Sequence, residues 1–244
     1  MDTYEYYSFE NYVINETNKL AAKACRSFAE GGDGRDWDVN QLLIYGDVGV
    51  GKTHLVSAVV NRIIRINPEL NVRYVTGESF ANEIIGAISS GSSMSNLRKE
   101  YRELDVFVLD DIEYINKMNA VRSELYHIID ELLLRGRRVI VASNISPNDL
   151  FKDFLELKNR LDGFCTIGIA PPDEDLITEI VDRMLKELKL EDIDDDVKDY
   201  VMECADGKIN KVKGMLRTIK LYVDIEEDSD PWIQDVRKLL EKTM

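Results

Sequence analysis

The chain is 244 residues long, carries a formal net charge of -15 and is 44% hydrophobic. That length buries a substantial core and suits one large domain, or a larger domain with a small appendage. The acidity opposes a broad duplex-DNA surface, which depends on phosphate neutralisation by lysine and arginine. No stretch is apolar and long enough to span a bilayer, so no membrane role is expected. Three widely spaced cysteines (Cys25, Cys165 and Cys204) make neither a zinc pattern nor a disulfide framework, and a cytoplasmic location is expected.

In chain order, an acidic, aromatic arm runs to about Tyr12 and a helix is expected over 17–30, followed by the loop Gly31-Gly32-Asp33-Gly34. Residues 41–45 are a short apolar run read as a buried strand, and 54–64 carry helical apolar spacing that reaches Asn67-Pro68. A second strand is read over 72–76, then an amphipathic helix over 77–88 with Phe80, Ile84, Ile85 and Ile88 apolar. A polar loop over 89–95 and a short basic helix over 97–101 follow. The uniformly apolar run 106–109 predicts a strand buried on both faces. Then come a helix over 121–134, a strand over 137–142 and a last short strand over 166–169. Strands alternating with helices predict an α/β core of three layers with a parallel sheet. Pro171-Pro172 closes it, and only helical patterns follow, over 175–188, 194–205, 209–223 and 231–242. The expected division is a core with its N-terminal arm over 1–172 and a small helical lid over 173–244. Acidic runs at 192–196 and 226–228 read as solvated faces or helix starts.

Between the first strand and its helix stands Gly46-Asp47-Val48-Gly49-Val50-Gly51-Lys52-Thr53, a complete G-x-x-x-x-G-K-T phosphate loop in the strand–turn–helix setting that the motif requires. Its glycines let backbone N–H groups converge on phosphates, and the helix start, which includes His54, adds its dipole. Lys52 is placed to reach the β- and γ-phosphates, and the Thr53 hydroxyl to hold Mg²⁺. The strand 106–109 closes on paired carboxylates. Asp110 is expected in the Mg²⁺ shell, and Asp111, one residue further, is expected to orient or activate an attacking water. A second apolar strand closes on Asn144, which offers both a donor and an acceptor and could read the γ-phosphate or the water. Asn148 is the weaker candidate, because Pro147-Asn148-Asp149 resembles a turn and helix start. Lys158-Asn159-Arg160 follows a Phe-rich amphipathic stretch. In an oligomeric ATPase, an arginine at such a point enters the neighbour's site and stabilises the transferring charge in trans.

Together these elements resemble the AAA+ ATPases and, in detail, the ATPase domain of the bacterial replication-initiator family DnaA and its paralogues. Tyr7-Ser8-Phe9-Glu10-Asn11-Tyr12-Val13-Ile14 resembles the family's opening arm, with Asn18 at a familiar spacing. Gly77-Glu78-Ser79-Phe80-Ala81-Asn82-Glu83 resembles the helix after its second strand. Leu97-Arg98-Lys99-Glu100-Tyr101 with Leu104-Asp105-Val106 resembles the approach to its Walker B strand, and Asp110-Asp111-Ile112-Glu113-Tyr114-Ile115 the exit from it. The resemblance covers nearly all of residues 4–224. It implies an AAA+ core with a helical lid, ATP or ADP with Mg²⁺ as cofactors, and Val13 and Ile14 on the adenine side of the pocket. Asn144 falls at a sensor position where the family commonly has Asp, and Arg160 at the arginine-finger position.

The resemblance also implies action in the initiation of chromosomal replication or its regulation, through ATP-dependent head-to-tail assembly with itself or a DnaA-like ATPase. A replicative helicase is a further implied partner. In the assembled state, single-stranded DNA would meet Arg98, Lys99 and the loop 89–95. Two alternatives stay open: a helicase-loader-like ATPase, and a nucleotide-dependent protein-interaction module with weak or no hydrolysis. The family's second sensor is an Arg early in a lid helix. Here Lys208-Ile209-Asn210-Lys211-Val212-Lys213-Gly214 puts Asn210 at that place. Lys211 is the candidate substitute, although a neighbour on a helix points about 100° away, and weak hydrolysis is expected. The family carries a helix-turn-helix domain after the lid. No counterpart is read before Met244, so sequence-specific duplex binding is not expected of this chain. Whether it is a piece of an initiator or a paralogue stays open.

Overall fold

A computed structural model of the chain describes residues 7–31, 39–89, 94–191, 193–205, 207–225 and 233–243. The elements run α1 (Lys19–Glu30), β1 (Gln41–Tyr45), α2 (Lys52–Ile66), β2 (Val72–Thr76), α3 (Gly77–Ser89), α4 (Met94–Arg102), β3 (Val106–Asp110), a 3₁₀ turn (Ile112–Ile115), α5 (Asn119–Leu134), β4 (Arg138–Ser143), α6 (Leu155–Leu161) and β5 (Cys165–Gly168). Four helices follow: α7 (Glu174–Leu188), α8 (Asp195–Ala205), α9 (Ile209–Ile225) and α10 (Ile233–Thr243). The chain falls into two compact units that divide between Ala170 and Pro171.

The first unit is built on a five-stranded sheet in the order β2-β3-β4-β1-β5, every pairing parallel. Side chains alternate across a strand, and here both faces are apolar. Leu42, Ile44, Val106, Val108, Ile140 and Ala142 face the layer that holds α1 and α2. Leu43, Phe107, Leu109, Val139 and Val141 face the layer of α3 to α6. Covering both faces is what a parallel sheet requires, and the result is the three-layer α/β core that the alternating pattern predicts. Because all strands run the same way, β1, β3 and β4 end at the same edge. That edge receives the phosphate loop, Asp110 and Asn144.

The edge strand β2 carries the α3–α4 segment, tied down by charge. Arg73 donates to Glu83 at 2.7 Å and lies 4.6 Å from the centre of the Tyr101 ring, and the buried Tyr101 hydroxyl donates to the same Glu83 at 2.8 Å. Tyr101 meets Phe80 and Phe107 edge to face beneath this network, and the two phenylalanine rings are tilted to each other. The second unit has its own core, with Ile177, Val181, Val197, Val201, Val212, Leu216, Ile219, Val236 and Leu240 buried among four helices. Asp173 caps α7, accepting the Leu176 N–H at 2.9 Å.

Two elements are missing from the reading of the sequence. Arg160 lies within a helix, α6, rather than after an amphipathic stretch, because Leu157 and Leu161 bury one helical face. The 3₁₀ turn after Asp111 buries Ile112 and Ile115, which a strand exit does not reveal. Helix α2 begins at Lys52, two residues before its apolar spacing. Residues 1–6 of the arm, 32–34 of the glycine loop, 90–93 of the polar loop, Asp192, the acidic run 226–228 and the expected helix start at 231 lie outside the described residues.

Candidate functional site

The phosphate loop leaves β1 at Tyr45 and enters α2 at Lys52. Gly46 donates to the Ser143 carbonyl at 3.2 Å, which fastens the loop's start to the end of β4. Lys52 is buried, and its Nζ donates to the Gly46 and Asp47 carbonyls at 2.7 and 2.8 Å, so the ammonium lies folded over the loop. Burial pulls its pKa below the ordinary lysine value, and the carboxylates of Asp110, Glu113, Asp111 and Asp47 oppose that shift. Asp47 and Val48 are exposed, while Val50 is buried in the core that also holds residues of α1 and α2. Gly51 caps α2 at φ +99°, where an added Cβ would also lie 2.9 Å from the Tyr12 ring. Glycine is therefore required there twice, by backbone conformation and by space.

The arm is clamped to this loop from the other side. Asn18, only 3% exposed, accepts the Asn15 N–H at 3.0 Å and donates to the Val13 carbonyl at 3.0 Å, which fixes the turn bearing Val13 and Ile14. Ile14 is exposed and Val13 half-buried. The side chain of His54 belongs to the arm: its Nε2 meets the Ser8 carbonyl at 2.8 Å, and its ring stands between those of Tyr7 and Tyr12, each centre 5.1 Å away. Asn61, two turns further along α2, donates to the Tyr7 carbonyl at 2.7 Å. What His54 can offer a phosphate is thus its backbone at the helix start, not its imidazole.

Asp110 ends β3 at 1% exposure. Its carboxylate accepts from the Tyr74 hydroxyl at 3.1 Å and from the Asp111 N–H at 3.0 Å, and the nearby Thr53 hydroxyl favours its charged form. Burial still dominates and holds its pKa above the ordinary carboxylate value. Asp111 follows in the left-handed region at φ 52°. That turn sends its side chain toward β4, where Asn144 Nδ2 donates to its Oδ1 at 3.3 Å. Burial raises its pKa, and repulsion from Asp110 and Glu113 adds to the rise. The Asp111 carbonyl sits against Gly77, where a Cβ would collide with it, so the start of α3 abuts this turn. Glu113, which carries no role in the sequence reading, also binds Asn144. It accepts the Asn144 backbone N–H at 3.1 Å and the side-chain Nδ2. No signal in the sequence marks it, because the left-handed turn at Asp111 that brings it to Asn144 shows only in the structure.

The remaining candidates are engaged elsewhere. Arg160 forms an ion pair with Asp130 of α5. Arg98 is held bidentately by Glu124 at 2.9 and 2.6 Å, whereas Lys99 is exposed and only 3.9 Å from Glu103. In the second unit, Lys211 Nζ donates to the Cys204 carbonyl at 2.6 Å, near the C-terminal end of α8, and Asn210 is exposed. Asn148 is exposed in the turn before α6.

A buried acid whose folded pKa exceeds its unfolded one holds more protons in the folded state, so stability falls as pH rises through that window. At neutral pH the Asp110 charge is therefore a net cost in the nucleotide-free protein. Asp110→Asn should raise its melting temperature at pH 7, by about 2–4 °C for each kcal/mol relieved in a chain of this size. Scanning calorimetry without nucleotide checks this, and a lowered transition would contradict it.

The family model of the bacterial DnaA ATPase domain matches residues 4–170. The chromosomal replication initiator protein DnaA of Chloroflexus aurantiacus is 29% identical over 219 residues, which are 90% of this chain and 45% of that protein. The chain thus spans about half the length of the curated relatives it matches. Domain III of the Thermotoga maritima replication initiation protein DnaA superposes with a TM-score of 0.87 at 28% identity, covering 97% of this chain and 96% of that one. A replication initiator DnaA bound to AMPPCP and single-stranded DNA superposes with a TM-score of 0.79 at 28% identity, over 91% of this chain and 68% of that one. The phosphate loop, the carboxylate pair at the end of β3 and the clamped arm thus stand in a chain that belongs to the bacterial DnaA ATPase-domain family.

Proposed function

We propose that this chain is an ATP-dependent switch in the initiation of chromosomal replication or its control, which binds ATP with Mg²⁺, assembles head to tail and hydrolyses ATP slowly. The observation that carries the reading is the convergence of Lys52, Thr53, Asp110, Asp111 and Asn144 at one edge of one parallel sheet. The donors fit the cofactor. A hydroxyl and a carboxylate are the hard oxygen ligands that Mg²⁺ takes, together with waters and substrate phosphates. Among the described residues no cluster of His, Cys, Asp or Glu forms an all-protein metal cage. Thr53 and Asp110 would hold the ion, which when bound supplies charge neutralisation to the β- and γ-phosphate oxygens.

Lys52 exchanges its bonds to the loop carbonyls for phosphate oxygens, and the N–H groups from Gly49 to His54 gather around the phosphates. Val13 and Ile14 close the adenine side. The attacking water bonds the γ-phosphorus, its proton passes to Asp111 and the β–γ bridging oxygen leaves with ADP. The raised proton affinity of Asp111 suits it to that task. Slow turnover is the expectation that the resemblance raises, since Asn210 stands where it implies a second-sensor arginine. Lys52→Ala should weaken ATP binding on folded protein at least about tenfold, the scale of one lost charge-assisted bond, as calorimetry would read. Asp111→Asn should leave affinity within a few-fold and slow hydrolysis about 100-fold or more. Equal turnover would remove Asp111 from the reaction.

Assembly rests on Arg160, which in this reading leaves Asp130 for the neighbour's γ-phosphate. Such heterologous contacts build open filaments as readily as rings. The relative bound to AMPPCP and single-stranded DNA supports a strand-binding role, for which the exposed Lys99 is better placed than the tied Arg98. Sedimentation should show ATP-dependent oligomers that Arg160→Ala abolishes. A fluorescent single strand should bind only under assembling conditions, and more weakly with added salt. Strand binding by the monomer, or assembly unaffected by Arg160→Ala, would contradict this part of the account.

A further inference from the structure

Asn144 brings a carboxamide to the polar groups gathered at the sheet edge, and the residue that grips it most fully is Glu113. One Glu113 oxygen takes the Asn144 backbone N–H at 3.1 Å, the other takes Nδ2, and Asp111 Oδ1 takes the same nitrogen at 3.3 Å. A carboxamide has a donor side and an acceptor side, and a carboxylate only accepts. The opposite orientation would set the Asn144 oxygen against two anions, so the two carboxylates fix the amide in one sense: nitrogen toward them, Oδ1 away. An amide oxygen can accept a hydrogen bond from water. It cannot bind a phosphate oxygen, which is itself an acceptor.

We infer that Glu113 is a positioning residue, which turns the Asn144 carbonyl oxygen toward the attacking water and keeps its N–H donors away from the γ-phosphate. The inference rests on the reading that Asn144 stands beside that water. Its consequence is a trade: Glu113 favours turnover and opposes retention of ATP. Charge acts in the same direction. The Glu113 carboxylate is one of the anions close enough to act on the Lys52 ammonium, and an anion there disfavours a further negative charge beside that lysine. A glutamine of the same shape would keep one acceptor for the backbone N–H of Asn144 and present a donor to its carboxamide. Only the longer bond to Asp111 would then oppose reversal of the amide, and the reversed amide would offer its own donors to the phosphate.

The test is a cycle of Glu113→Gln, Asn144→Ala and the double variant. Affinities for AMPPCP and ADP are measured with Mg²⁺ by calorimetry, and hydrolysis in single turnover. An unchanged ADP affinity reports an intact fold. In Glu113→Gln the AMPPCP-to-ADP affinity ratio should rise about tenfold, the value of one charge-assisted hydrogen bond, and hydrolysis should slow about tenfold. On the Asn144→Ala background, the same substitution should raise the ratio less than about threefold and leave the rate unchanged. If Asn144→Ala is slow but Glu113→Gln keeps the wild-type ratio and rate, the inference falls and the role of Asn144 stands. Equal effects of Glu113→Gln on both backgrounds show that it does not act through Asn144, which also overturns the inference. If Asn144→Ala hydrolyses ATP at the wild-type rate, both the inference and the role of Asn144 fall.

Discussion

A carboxylate almost sealed from solvent at the end of a central strand is the constraint on which the rest of this molecule turns. Asp110 is flanked by Tyr74 and Thr53 and lies within reach of the Lys52 charge. Burying an ion is tolerated only where partners satisfy it. Here the partners come from β2, from α2 and from the peptide that follows it. Their positions in turn demand the strand order β2-β3-β4 and a phosphate loop that enters α2 at the same edge. The parallel sheet supplies that edge because all five strands point one way. Folding thus assembles a charged, incompletely compensated pocket, and a bound cation with phosphates would complete it.

The second dependence runs through the arm. Asn18 pins the turn at Val13, and His54 and Asn61 pin the segment before it to α2. The helix that bears Lys52 and Thr53 is therefore held on one face by the sheet and on another by a segment far off in sequence. Gly51 sits at the crossing, without room for a side chain beside Tyr12. Gly77 plays a comparable part on the other flank, where the start of α3 meets the Asp111 carbonyl. The α3–α4 segment and the carboxylate turn are in contact, so a shift in one is felt by the other.

Much of the fold is legible in the sequence because its signals are local. The runs 41–45 and 72–76 are bounded by glycine, asparagine and charged residues, and both strands lie within those limits. Alternation of strand and helix is enough to predict the parallel sheet. The site is less legible, because its details are set by contacts between segments distant in sequence. Nothing in the order Lys52-Thr53-His54 tells that the third side chain turns away to the arm. Nothing in Asp110-Asp111-Ile112-Glu113 tells that a left-handed Asp111 brings Glu113 under the end of β4. Helix α6 is hidden because Phe151, at φ 54° and with its N–H donated to the Asn116 side-chain oxygen, breaks the pattern just before it. Arg160 can be named from its place in the chain, but its pairing with Asp130 cannot.

The central claim is that Lys52, Thr53 and Asp110 form one Mg²⁺-dependent ATP site. The most direct measurement is the thermal unfolding of the full chain with ATP and Mg²⁺, with ATP and EDTA, and with neither. A ligand at about 100 times its dissociation constant stabilises the folded state by about 2.7 kcal/mol, a shift of about 5–10 °C at this size. The account predicts that rise with ATP and Mg²⁺ and a clearly smaller one with EDTA. Coincident transitions in all three conditions at millimolar ATP would contradict it.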